Sequence, residues 1–413
     1  MSRCWQRVYD IMNLPSGNYE ASSFGMTPQT ADNGPALTAA LATIRASGRG
    51  GRIWFEPAPY NFQTAVTDTT ASVSSYGVEL MGAGQGSTYF KTDGALNTTG
   101  NLLTPGRYFR AYNMTLGSTA TRAAGSFVRV VGDMLIGDAP SKKLMGIQFG
   151  DVDMENGFDG VTLVDRAGSL GVCGFSWEGR TFARGFTASG TLFDVNSPNG
   201  VIITINNVSH SETSGVASGS RPLATMRVRG AADLRCENVE SVYCRNGLVV
   251  DPGATGRAAT LFLQNCIWGQ VTGDPVLISP NASADCHSIQ MIGGYVDTTT
   301  GITITGSGCK SVQIVGMTVY GCTTGGIKAN ATGSVVASEI NWAGNNLFGF
   351  YATGSQQNFQ VSGSFSEVSA KTTTGVLVDA GCNRYQVSVT GANDHCTTAV
   401  TDNGGANKVV SVL

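Results

Sequence analysis

From about residue 200 the chain repeats one short pattern, a Gly or turn residue followed by apolar-x-apolar. Gly200, Gly247, Pro275, Gly301, Gly326, Gly349 and Gly375 each open such a unit, as in Val276-Leu277-Ile278 and Ile302-Thr303-Ile304. From 275 to 301, 326, 349 and 375 the steps are 26, 25, 23 and 26 residues. A second column places a polar residue between apolar ones: Ile289-Gln290-Met291, Val312-Gln313-Ile314, Phe359-Gln360-Val361 and Tyr385-Gln386-Val387. With Glu339 in the gap, its steps are 23, 26, 21 and 26. Two columns thus share one period.

Strands of three to six residues, separated by Gly, Asn, Ser or Thr, leave no room for a helix in each repeat. The Leu and Asn consensus of leucine-rich repeats is missing, so the period predicts a parallel β-solenoid whose turns stack about 4.8 Å apart. Alternation then puts Ile289 and Met291 inward and Gln290 outward, in a ladder of glutamines expected to bond along the surface. One segment has a different period. Leu37, Ala40, Leu41 and Ile44 fall at i, i+3, i+4 and i+7, which predicts a helix opening near Asp32-Asn33-Gly34-Pro35 and stopping at Gly48. Such a helix suits the open end of a solenoid, where backbone and apolar rungs need a cover. The fold class read from the pattern is all-β, a parallel β-helix with one N-terminal capping α-helix.

Composition narrows the partners. Charged residues make up 13% of the 413, about half the usual share, and the 55 glycines favour turns over helices. A balance of 26 basic and 29 acidic residues gives 26 − 29 = −3, without the basic excess that nucleic acid binding needs. No run of eighteen apolar residues predicts membrane insertion, and the start shows no secretion signal. Ten cysteines without a CxxC pair, beside three histidines, argue against zinc and for free thiols packed as small hydrophobes. Cys4 stands apart as a residue for an interchain bond.

Ser23-Phe24-Gly25, TADNGPALTAAL, GRGGRIWFEPAPY and GVELMGAGQGST, over residues 20 to 90, resemble the opening of the pectate-lyase-like family of right-handed β-helices, which includes phage tail spikes. The repeat behind it extends the resemblance over most of the chain. The resemblance implies a right-handed helix, a homotrimer and an N-terminal segment held by other tail or baseplate proteins. It also implies a virion tail protein, assembled in the host cytoplasm, that meets a bacterial surface glycan at the host cell. The expected organisation is then a virion-anchoring segment 1–22 carrying Trp5, Val8, Tyr9, Ile11 and Met12, a capping helix and first turns over 23–90, and a β-helix over 91–413. That β-helix is expected to be irregular at 91–200 and regular at 200–413. The alternatives are a non-catalytic structural or adhesive tail fibre and a secreted pectate-lyase-like enzyme.

Chemistry must come from few charges. In FGDVDMENGFDG, Asp151, Asp153 and Glu155 alternate and would share one face of an extended strand. Glycoside hydrolysis needs two carboxyl groups at such spacing, one of them protonated. The alternatives are a solvated strand face or loop and a catalytic cluster; in the catalytic case Asp151 and Asp153 are the acid and base pair with Glu155 tuning them, in a hydrolase rather than a lyase. No cofactor is expected, with Ca²⁺ on the same carboxylates reserved for the lyase reading. Trp177, Trp268, Tyr295, Tyr320 and Trp342 are the aromatics proposed to stack on sugar rings. His210, next to Ser209 and two residues before Glu212, forms no triad legible from spacing.

Overall fold

The computed structural model describes residues 17–68, 77–98, 100–132, 144–165, 171–330, 333–344, 346–366 and 371–413. Trp5, Val8, Tyr9, Ile11, Met12 and Cys4 lie outside these. The chain divides into two compact units, Met1–Ser209 and His210–Leu413. Each coils as a right-handed parallel β-helix.

In the first unit, the helix Gly34–Ala46 buries Leu37, Ala40, Leu41 and Ile44, the four positions its periodicity selected. Pro35 lies at its start, where a missing N–H costs no hydrogen bond. Arg45 in its last turn forms a buried ion pair with Asp68 at 2.5 Å and donates to the Arg107 carbonyl at 2.6 Å, tying the cap to two later segments. Behind it, parallel strands stack in register so that Ile53, Leu80, Ala111, Phe149, Trp177 and Ile205 form one inward column. Each rung is 0 or 1% exposed, so each large side chain gains about 1.5–3 kcal/mol of burial. The glycine-rich stretch after Val78–Met81 is a turn, with Gly86 at φ 72.

The second unit has the three-strand turns that the period requires. Leu248, Val276, Ile302, Ile327, Phe350, Val376 and Val400 stack in one column, as the repeat predicted. The rung before Leu248 is Met226, whereas Val201 to Ile203 pair with Cys173 to Phe175 in the first unit and belong to another ladder. The second column runs Ile289, Val312, Val335, Phe359 and Tyr385. Its true steps, from 289 to 312, 335, 359 and 385, are 23, 23, 24 and 26. The rung in the gap is therefore Val336 and not Glu339, which occupies a left-handed corner at φ 57. Val336 interrupts the glutamine ladder, and Gln290, Gln313, Gln360 and Gln386 form no side-chain hydrogen bond among the described residues.

A third column carries Trp268, Val296, Val319, Trp342 and Phe365. The Trp268 ring demands a glycine opposite it, because a Cβ on Gly247 would stand 2.5 Å from the indole. Among the described residues, one further α-helix, Ala392–His395, lies late in the chain. Among the described residues, the eight cysteines from Cys236 to Cys396 are free and buried, as packed hydrophobes should be. Cys286 and Cys309 face each other on adjacent turns.

Candidate functional sites

The acidic stretch lies on strand Leu144–Glu155, but its residues do not share one face. Asp151 stands at a corner with φ 53, in line with Asn113 at φ 57, Gly179 at φ 74 and Asn207 at φ 56. Asn, Asp and Gly tolerate this left-handed conformation, which lets the chain turn at the same place in each coil. The strand before the corner pairs with Val172–Glu178 and the strand after it pairs with Thr181–Arg184. Asp151 Oδ1 accepts the Arg180 amide at 3.0 Å. The expectation that Asp151, Asp153 and Glu155 share one face is corrected by this corner, from which the Asp151 side chain reaches the amide of the next turn.

Asp153 and Glu155 do share a face, with Met154 buried between them and Val152 buried before them. Asp153 Oδ1 accepts the Phe182 amide at 2.7 Å and a Gln85 side-chain N–H at 3.1 Å. Burial pushes the Asp153 carboxyl up, assisted by the charge of Glu155 and opposed by the Phe182 amide, Arg180 and Arg184. Glu155 is ion-paired with Arg184 at 2.6 Å and accepts the Tyr89 hydroxyl at 3.3 Å. The Tyr89 ring crosses Gly117 to reach it, and burial beside that carboxylate pushes the phenol up to about 12. Phe182, 43% exposed, carries the Arg180 guanidinium 4.3 Å from its ring centre. Two carboxyl groups two residues apart on a strand lie roughly 6.6 Å apart, within the range of inverting hydrolysis. If this face is catalytic, the pair is Asp153 and Glu155.

Of the five aromatics expected to hold sugar, Trp177, Trp268 and Trp342 are 0, 1 and 0% exposed. A ring with no open face stacks on no pyranose, so these three are core rungs; Trp177 stacks on Phe149 at 4.9 Å and Trp342 on Phe365 at 4.8 Å. Tyr295 and Tyr320 point outward on either side of the inward Val296 and Val319, with ring centres 6.3 Å apart and planes 24° from parallel.

Beside that tyrosine pair the second unit opens a groove of about 880 Å³. Its walls include Tyr243, Arg245, Gln270, Thr272, Asp297 and Thr323, taken from the connections that leave the third strand on successive turns. Burial pushes the Asp297 carboxyl up, and no side chain among the described residues pairs with it. Arg221 donates to the carbonyls of Val216, Gln270 and Ser214 at 3.1, 3.2 and 3.3 Å, and its guanidinium lies 5.4 Å from the Tyr243 ring centre. Hydroxyl, amide, guanidinium, carboxylate and aromatic groups on one concave surface match the ring faces and hydroxyl edges of a glycan. No sequence motif announced this groove, since its residues come from five separate turns. Among the described residues, no three His, Cys, Asp or Glu side chains converge on a position for a metal ion.

By sequence, the chain matches no family model and no curated protein. Solved structures share its fold. The A-module of the mannuronan C-5 epimerase AlgE4 of Azotobacter vinelandii is similar at a TM-score of 0.52 and 15% identity, over 95% of this chain and 100% of that one. The tailspike protein of E. coli bacteriophage HK620, solved in complex with a pentasaccharide, is similar at 0.55 and 13%, over 98% of this chain and 82% of that one. At these identities the likeness establishes the right-handed parallel β-helix that the resemblance had implied.

Proposed function

We propose that this protein is a tail-spike-type β-helix that recognises a bacterial surface polysaccharide through the groove of its second unit. The observation that carries the reading is that groove: about 880 Å³, open, and walled by Tyr243, Arg245, Gln270 and Asp297. The chain has the fold of a tailspike that holds a pentasaccharide and of an enzyme that acts on mannuronan, and both lend support. A homotrimer in the virion tail, assembled in the host cytoplasm and acting at the host surface, belongs to the same reading. It calls for no cofactor.

Cleavage is a second reading, favoured by one observation. Asp153 is pushed toward its protonated form two residues from ion-paired Glu155, the division of labour that a general acid and its partner require. Incubation of purified protein with lipopolysaccharide or capsular polysaccharide from candidate hosts tests both readings. Retention of polymer on immobilised protein supports recognition, and no retention of any such polymer refutes it. Shortening with new reducing ends supports hydrolysis, whereas retention without shortening leaves an adhesive spike.

A further inference from the structure

Most inward positions in the core of the second unit are apolar, and a cluster of buried polar side chains lies behind the groove wall. His210 is 0% exposed, its Nε2 lies 3.1 Å from Glu212 Oε1, and its Nδ1 lies 2.9 Å from Thr225 Oγ1 and 3.4 Å from Cys244 Sγ. Thr225 in turn donates to Ser241 Oγ at 2.7 Å and lies 3.6 Å from the same sulfur. The two ring nitrogens of His210 face opposite partners, so the cluster cannot chelate a metal ion from one side. Cys244 is also 0% exposed and points away from the groove, so a bound ligand does not meet its sulfur.

What the cluster does reach is the backbone of the wall. Cys244 stands between Tyr243 and Arg245, both of which line the groove. Tyr243 has φ 61 and Gln270, at the same corner of the next turn, has φ 49. A bulky residue in the left-handed region is strained and persists only where its surroundings hold it. Arg221 holds Gln270 through its carbonyl, and the Thr272 amide holds the Cys244 carbonyl at 3.2 Å. The Arg245 amide is held by the Pro222 carbonyl at 2.9 Å, and the Cys244 side chain anchors the corner from inside the core.

We propose that His210, Glu212 and Cys244 are positioning residues that hold the Tyr243 corner in its strained shape, so that ligand binding in the groove depends on a network the ligand never touches. The inference rests on the groove being the glycan site. The ionisable groups bonded to His210 are Glu212, one residue past the strand Val201–Ser211, and Cys244 on the corner. Burial disfavours the imidazolium, but Cys244 and Glu212 outweigh it and raise His210 from 6.5 to about 9. His210 and the hydroxyls of Ser241 and Thr225 pull the Cys244 thiol down against its burial. The imidazolium therefore persists through neutral pH and is lost as pH rises through about 9, which makes the anchor sensitive to alkali.

The test compares the wild type with Cys244→Ala, Cys244→Ser and His210→Gln. Amide hydrogen exchange over residues 241–246 reads the corner directly, and an array of bacterial lipopolysaccharide and capsular oligosaccharides reads binding, at about pH 7 and about pH 10. Cys244→Ala is expected to speed exchange at 243–245 by roughly tenfold and to weaken binding by a similar factor, with Cys244→Ser restoring most of both. With exchange expressed as protection relative to the intrinsic rate of each amide, which itself rises with pH, the wild type should approach Cys244→Ala at the alkaline pH, while the protection and binding of Cys244→Ala show little further change. A merely structural role would lower stability without this shared pH dependence of exchange and binding. Wild-type exchange and binding in Cys244→Ala would overturn the inference. If that variant does not fold, the alkaline step in the wild type and the exchange of His210→Gln decide the same point. A wild type that binds no glycan on the array removes the functional reading, while the exchange data still decide whether the network holds the corner.

Discussion

The acidic run of the first unit and the groove carboxylate of the second are set in opposite surroundings, although other carboxylates of the second unit, such as Asp251 with Arg227, also fasten turns. In the first, the dense acidic run at 151–155 is engaged by its neighbours: Asp151 by the Arg180 amide, Asp153 by Phe182 and Gln85, Glu155 by Arg184 and Tyr89. In the second, Asp297 stands in a groove wall with no side-chain partner, among residues drawn from turns that are far apart in sequence. A parallel β-helix needs polar groups to fasten each turn to the next, so a local cluster of charges first reports on stacking. Binding surfaces arise where corners line up across turns, and those leave no local cluster.

The sharpest way to break this contrast is through the tryptophans. Trp342→Ala should cost about 3–5 kcal/mol in denaturant unfolding, as should Trp177→Ala, because each empties a full rung. A variant of either kind that unfolds like the wild type and loses only glycan binding would return these residues to the surface. Next in size, Arg245→Ala and Asp297→Asn should each weaken oligosaccharide binding by roughly tenfold to a hundredfold, measured by calorimetry, with little change in stability. Equal losses from Arg184→Ala would place the glycan on the other unit.

The carboxylates separate at a smaller scale. Asp151→Ala should cost about 1–2 kcal/mol by leaving the Arg180 amide without its acceptor, whereas Asp151→Asn keeps an acceptor and should be nearly neutral. Where cleavage is observed, Asp153→Asn should abolish it, and the wild-type rate should fall as pH rises through the raised Asp153 value, because the acid form is consumed. A rate unchanged by Asp153→Asn removes that residue from the chemistry. Smallest of all, Gln313→Ala should change stability by no more than about 0.5 kcal/mol, since its exposed amide bonds to no neighbouring glutamine.

Much of the fold was legible in the chain. The Gly-led column from 247 onward, the helix at 34–46 and the inward Ile289 and Met291 follow from periodicity alone. The same alternation rule, applied to Phe175-Ser176-Trp177 and Ile340-Asn341-Trp342, would have placed two tryptophans in the core. Trp268, followed by Gly269 and preceded by outward Ile267, offered no such cue. The corners were legible in part, because Asn238 and Asn265 stand one turn apart where Gly293 and Gly316 follow. In the first unit Asp151 holds a left-handed corner in line with Asn113, Gly179 and Asn207, a placement that strict alternation along one strand does not foresee. The groove and the cluster of His210 with Cys244 were hidden for a physical reason. Their members are separated by whole turns, so only the register of the coil brings them together.

The most direct test of the account is where a bound glycan fragment lands. Hydrogen exchange of the full chain, with and without a saturating oligosaccharide from a retained polysaccharide, should show added protection at 243–245, 270–273 and 297–299 and none at 151–155 or 180–184. Protection confined to the Asp153 and Glu155 face, with the groove unchanged, would contradict it.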